Sequence, residues 1–201
     1  MKQEAVFLKS EGDAYHRRNK DRVRSIADDP VYVGLENIDY FPKSVLEIGC
    51  GDGWRLSELK RIDGCKVMGI DPSKQAVQDG RKKYNIDLRV STASDYNIDK
   101  TFDLIIFGFC LYLCSREELF LIVSKADRAL KDKGLMVILD FYSKIPYSND
   151  YKHYKGLKSY KMDCSMMFTW HPFYTMIYMN TVLKNNPDDY ITTQILLKRK
   201  I

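Results

Sequence analysis

Glu47-Ile48-Gly49-Cys50-Gly51-Asp52-Gly53-Trp54 sets three glycines at alternate positions, directly after the apolar pair Val45-Leu46 and before a helical stretch beginning at Arg55. Glycine takes positive φ freely and lets a ligand approach bare backbone. The free N–H groups at the start of the following helix then face that ligand, which is the chemistry of nucleotide recognition. The dinucleotide fingerprint G-x-G-x-x-G fits at Gly49 and Gly51 but meets Trp54 at its third position, where an indole cannot replace a hydrogen. The next apolar run ends at Asp71-Pro72-Ser73, which puts a carboxylate at the carboxyl edge of a strand beside the turn. An ionised carboxylate accepts from two ribose hydroxyls at once. The alternative reading of Asp71 is a helix cap.

Groups for acid–base work are few. His153, in a tyrosine cluster, is the candidate general base; His171, before Pro172, is a candidate acceptor contact. Five cysteines without a C-x-x-C pair, and three scattered histidines, give no zinc spacing, so no metal is expected. Residues 142–174 are crowded with Tyr, Lys, Met and His, Tyr154 among them. Aromatic faces beside basic side chains suit a phosphorylated sugar, and equally a surface lid of buried tyrosines. Near the N-terminus, Tyr15, Arg17 and Arg18 read as a lid over an anionic group or as a solvated helix face.

These groups need a scaffold. Apolar runs at 44–49, 66–70, 87–92, 102–109 and 134–141 alternate with helical stretches, the pattern of a parallel sheet covered on both faces. Tyr15, Arg18, Val23 and Ile26 stand at helical spacings in the charged stretch that opens at Gly12-Asp13, and Asp29-Pro30 opens a second short helix. Ser73 is half of a capping box, whereas Ser115 with Glu118 is a complete one opening a helix that carries Leu119, Ile122, Val123, Ala126 and Leu130. Strand-like runs at 174–183 and 189–198, separated by 184–188, predict an antiparallel hairpin.

The spacing E-x-G-x-G-x-G at Glu47, Gly49, Gly51 and Gly53, followed by Asp71, resembles the first motifs of class I S-adenosylmethionine-dependent methyltransferases. The runs at 102–109 and 129–141 match that family's fourth strand and its helix, turn and fifth strand, so the resemblance covers about residues 43–141. It implies an α/β, Rossmann-like fold: a seven-stranded, mostly parallel sheet with an antiparallel C-terminal hairpin and helices on both faces. It implies S-adenosylmethionine as cofactor, held by Glu47, Gly49, Cys50, Gly51, Asp71, Pro72, Thr92, Ala93, Ser94 and Phe109. Thr92 stands where the family commonly has an acid at the adenine edge, leaving that contact to Asp95 or to the Ala93 N–H. Acceptor contacts fall to Tyr15, Arg18, Tyr112, Tyr154 and His171.

The segment Glu11–Asn19 is similar to the N-terminal region of methyltransferases associated with bacterial pseudaminic-type sugar biosynthesis, without their usual tryptophan and phenylalanine. The expected reaction is methyl transfer to a small-molecule or saccharide acceptor, at oxygen; an RNA methyltransferase and a non-catalytic cofactor-binding protein are the alternatives. At 107–110 the chain has Phe-Gly-Phe-Cys. There it lacks the Pro-Pro-aromatic of base-amino methyltransferases and the metal-binding aspartate of catechol-type ones.

A chain of 201 residues suits one domain: a helical lid (1–42), a cofactor core (43–141), an acceptor cap (142–173) and a closing hairpin (174–201). The net charge of +5 falls short of a nucleic-acid-binding domain, so nucleic acid is not an expected partner. No apolar run reaches the roughly 18 residues that span a bilayer, and the N-terminus lacks a cleavable apolar leader, so a cytoplasmic protein is expected.

Overall fold

The computed structural model describes residues 2–183 and 190–201, so the link expected at 184–188 lies outside the described residues. Five strands, β1 (Ser44–Ile48), β2 (Lys66–Asp71), β3 (Asp87–Val90), β4 (Phe102–Gly108) and β5 (Leu130–Tyr142), run parallel. Two more, β8 (Tyr174–Leu183) and β9 (Tyr190–Lys198), complete a seven-stranded sheet in the order β3-β2-β1-β4-β5-β9-β8, with β9 antiparallel to both neighbours. This is the seven-stranded, Rossmann-like class I methyltransferase fold expected from the sequence. Because β1 pairs with β2 on one side and β4 on the other, the chain reverses direction across the sheet there and leaves a crevice at the carboxyl ends of the strands.

Burial on both faces explains the unbroken apolar runs. Leu46, Ile48 and Phe107 face α6 (Leu119–Ala129) and the short α7 (Met166–Thr169), while Val45, Leu104 and Ile106 face α3 (Pro30–Asn37), α4 (Trp54–Asp63) and α5 (Lys74–Tyr84). Asp29 caps α3 by accepting from the Val31 and Tyr32 amides, and Ser73 caps α5 by accepting from Ala76 N.

Three local expectations are corrected. The N-terminal helix, formed by α1 (Gln3–Val6), a π-helical turn (Phe7–Glu11) and α2 (Gly12–Asn19), stops at Asn19 instead of running to residue 26. Val23, assigned to its apolar stripe, is 97% exposed, so no packing rewards further helix. Ser115 does not form its capping box: its hydroxyl donates to Glu4 and accepts from Gln3 N, while Glu118 pairs with Lys2. The helix therefore begins only at Leu119, after a 3-10 turn (Arg116–Glu118). It also ends at Ala129, before Leu130, which opens β5.

The stretch 142–173 carries an antiparallel hairpin, β6 (Tyr147–Asp150) with β7 (Lys158–Lys161), that no periodicity in this polar segment announces. The N-terminal helix is sewn to it. Gln3 Nε2 donates to Leu113 O at 2.6 Å and Gln3 Oε1 accepts from Lys158 N at 2.6 Å, while Tyr151 donates to the buried Glu11 at 3.0 Å. Among the described residues, no helix is long and apolar enough to cross a membrane.

Candidate functional site

The glycine turn follows β1 and is tied to β2 by Gly49 N and Cys50 N, which donate to Ile70 O at 2.9 and 3.1 Å. Gly49, Gly51 and Gly53 take φ of 78°, 57° and 73°, a run only glycine holds without strain. Asp71 faces the turn from the end of β2. Its Oδ2 accepts from Gly51 N and its Oδ1 from Ser73 N, both at 2.8 Å, and Ser73 rather than Asp71 caps the helix. Burial pushes the Asp71 carboxyl up to about 6, against the pull of the Ser73 and Gly51 amides and of nearby His16.

Beneath the turn, Glu47 is 1% exposed. Its Oε1 accepts from Arg55, whose Nε also donates to both carboxylate oxygens of Asp29 at 2.9 and 3.0 Å. Glu47 Oε2 has no hydrogen-bond partner among the described residues. Burial pushes the Glu47 carboxyl up to about 7 although Arg55 opposes it. Asp29 thus caps α3 and anchors the arginine that neutralises the floor of the crevice.

Over the mouth, Arg24 donates to both oxygens of Asp52 at 2.7 Å and lies over the Trp54 ring at 5.2 Å. Burial raises the Asp52 carboxyl, but Arg24 outweighs it and holds the group below the usual range. Trp54, which spoils a dinucleotide fingerprint, here supports this strap. At the end of β4, Phe109 adopts a left-handed φ of 51° while its amide donates to Leu139 O at 2.8 Å. Such a conformation in a non-glycine residue costs of order 1–3 kcal/mol and concentrates at functional sites.

The resulting cleft measures about 730 Å³, within the range of small-ligand sites. It gathers Glu47, Gly49, Cys50, Gly51, Asp71, Pro72, Thr92, Ala93, Phe109 and Tyr15 from the sequence candidates. Its lining also includes an apolar wall of Leu139, Val182 and Ile191, with Thr193.

The remaining candidates stand elsewhere. His153 and Tyr154 are exposed on the turn between β6 and β7, His153 edge-on to Tyr151, and His171 accepts from Phe173 N through Nδ1. Arg18 pairs with Glu11, and Tyr112 is buried edge-on against Phe141. Ser94 lies beside Thr92 without lining the cleft and Asp95 is exposed, whereas Thr92 and Ala93 line it. No described residue of 142–173 lines the cleft, so the expected acceptor cap lies beside it.

Sequence reasoning missed His16, Arg24, Asp29, Trp54 and Arg55 as cleft residues. Only Asp29 carried a local signal, the Asp-Pro step, and it was read as a cap alone. Among the described residues no three His, Cys, Asp or Glu side chains are grouped to hold a metal ion.

An adenosyl-amino-acid ligand fits this donor set. Space beside the Gly51 α-carbon is open, with nothing within 4 Å of where a Cβ would stand. Asp71, with one amide on each oxygen, has acceptor capacity suited to a diol, and the Glu47 oxygen without a hydrogen-bond partner among the described residues suits an ammonium group. Fold and cleft together match what the resemblance to class I, S-adenosylmethionine-dependent methyltransferases implies.

Residues 45–134 match the family described as "Methyltransferase domain". An uncharacterized methyltransferase of Staphylococcus carnosus is 29% identical over 120 residues, 59% of this chain and 58% of that protein. The chain spans about half the length of the curated relatives it matches. Among solved structures, Burkholderia thailandensis 1,6-didemethyltoxoflavin-N1-methyltransferase, with its acceptor and S-adenosylhomocysteine bound, superposes with a TM-score of 0.75 at 15% identity. That match covers 98% of this chain and 88% of that one. The O-methyltransferase of a Brevibacillus brevis polyketide multienzyme, holding S-adenosylhomocysteine, gives 0.70 at 11% identity over 99% and 80%. These likenesses establish the fold.

Proposed function

We propose that this chain transfers the methyl group of S-adenosylmethionine to a small-molecule acceptor. The observation that carries the reading is the continuity of the cleft from the Asp71–Gly51 cradle to the wall of Phe109, Leu139, Val182 and Ile191. Bound there, the cofactor supplies an electrophilic methyl on a sulfonium that is its own leaving group. Asp71 accepts from the ribose hydroxyls, the turn packs against the ligand through bare backbone, and Glu47 Oε2 receives the ammonium group. The apolar wall and the Arg24–Asp52–Trp54 strap exclude water and hold the acceptor in line, which is most of what this reaction asks of a protein.

A saccharide acceptor rests on the aromatic and basic residues of 142–174, none of which lines the cleft, and on the N-terminal resemblance. Arg17 and Arg18 of that segment are engaged by Gln75 and Glu11, so they lend it no support. A hydroxyl acceptor would draw on a general base, and His153, the candidate for it, stands outside the cleft; proteins of similar fold act on nitrogen as well as oxygen. The acceptor atom is therefore an assay question: labelled methyl transfer is run against alcohols, amines, thiols and RNA. Transfer to RNA with steep salt dependence would replace the small-molecule reading.

S-adenosylhomocysteine is expected to bind with a Kd on the order of micromolar, read by calorimetry. Failure of the folded protein to bind it at pH 8 would sink the proposal. Affinity should be level above about pH 8 and fall as pH drops through about 7 and then about 6, because protonation of Glu47 removes the ammonium acceptor and protonation of Asp71 the diol acceptor. Asp71→Ala should weaken binding at least about tenfold, roughly 1.4 kcal/mol, and remove the lower of the two pH steps while leaving the one near 7. A wild-type profile flat from pH 5 to 8 would count against Asp71.

Arg24→Ala is expected to weaken ligand binding about three- to tenfold while changing stability by less than about 1 kcal/mol, since the pair is partly exposed. Unchanged affinity would show that the strap does not hold the mouth.

A further inference from the structure

The helix α2 lies along the start of α5 in a fixed register. Asp13 Oδ1 accepts from Ser73 Oγ at 2.7 Å and from Gln75 N at 3.0 Å, and Arg17 Nη1 donates to Gln75 Oε1 at 3.0 Å. Residues 13, 16 and 17 share one face of a helix. His16 completes the row, with Nε2 at 2.8 Å from Asp79 Oδ2.

His16 is only 8% exposed, and it lines the cleft together with Gly51, Asp52 and Asp71. A carboxylate only accepts, so Asp79 fixes the proton on Nε2. The neutral ring then keeps its Nδ1 lone pair, and Nδ1 has no protein partner among the described residues. A ribose hydroxyl both donates and accepts, so it satisfies Nδ1 in either protonation state of the ring. Asp71, on the same wall, already has one amide on each oxygen and a lone pair left on each.

We propose that His16, held by Asp79, is a further cofactor-binding residue whose Nδ1 contacts a ribose hydroxyl of the adenosyl group beside Asp71. This rests on the cofactor reading above. Asp79 acts as a positioning residue, through the ring.

The test compares S-adenosylhomocysteine with its 2′-deoxy and 3′-deoxy analogues by calorimetry, in wild type, His16→Phe and Asp79→Asn. Wild type should lose about tenfold in affinity for at least one analogue. His16→Phe should bind the parent ligand about tenfold more weakly, yet show no further loss for that same analogue. Asp79→Asn should fall between them; its side chain is 64% exposed, so the exchange leaves the core untouched.

An unaltered deoxy penalty in His16→Phe overturns the proposal, as does equal weakening toward all three ligands, which marks a packing effect. If His16→Phe fails to fold, wild-type behaviour of Asp79→Asn overturns it instead. Absence of binding by the wild-type protein removes the cofactor reading and this inference with it, an outcome separate from the others.

Discussion

Gly51→Val is expected to reduce S-adenosylhomocysteine binding by at least about a hundredfold, roughly 2.7 kcal/mol, while the protein stays folded. The Gly51 α-carbon faces open space, so an isopropyl group meets no protein atom within 4 Å at its Cβ and occupies the cradle instead. The φ of 57° forces a β-branched residue into the left-handed region, at about 1–2 kcal/mol. Urea unfolding should therefore report a modest loss and calorimetry a nearly complete one. Binding within threefold of wild type would mean that the ligand does not approach the turn.

Gly80→Ala should have the opposite profile, destabilising the fold by about 3 kcal/mol or more. Helix propensity alone predicts a gain of about 1 kcal/mol at this position inside α5. The structure reverses that sign, because a Cβ on Gly80 would stand 2.0 Å from Asp52 O, 2.7 Å from Asp52 C and 2.6 Å from Leu88 Cδ1. Backbone cannot yield as a side-chain tip does, so α5 must move off the glycine turn. Since Ser73 caps α5 and its amide binds Asp71, that movement should also disturb Asp71, and ligand affinity should fall with stability. A higher urea midpoint for Gly80→Ala would show that α5 does not press on the turn.

The two glycines divide the legible from the illegible. Gly51 announces itself, since strand, glycine turn, helix and a following strand ending in Asp71 form a consecutive pattern. The backbone those residues need is set by immediate neighbours. The caps at Asp29 and Ser73 are legible for the same reason, each reaching amides two or three residues away. Gly80 looks like an ordinary weak point in a helix, and nothing nearby in sequence says that Asp52 O fills the place of its side chain.

Failed expectations follow the same division. Ser115 and Glu118 have the spacing of a capping box, yet Glu4 and Lys2, more than a hundred residues away, compete successfully for them. His153, His171 and Tyr154 have useful chemistry in a segment of promising composition, but the hairpin of β6 and β7 carries His153 and Tyr154 to the surface, and His171 turns to the Phe173 amide.

The cofactor class came from the resemblance carried by the glycine turn and Asp71; by itself, the sequence determined the strands of the seven-stranded sheet, that turn and its acid partner. All of these rest on φ preference, strand periodicity and capping within a few residues. Only the tertiary structure decided which charges line the cleft and how they pair. Arg24 meets Asp52 across 28 residues, Arg55 meets Asp29 across 26, and His16 meets Asp79 across 63. Pairing at such separations is set by how helices pack on the sheet, where burial makes an unpartnered charge costly and selects the partner that packing brings within reach.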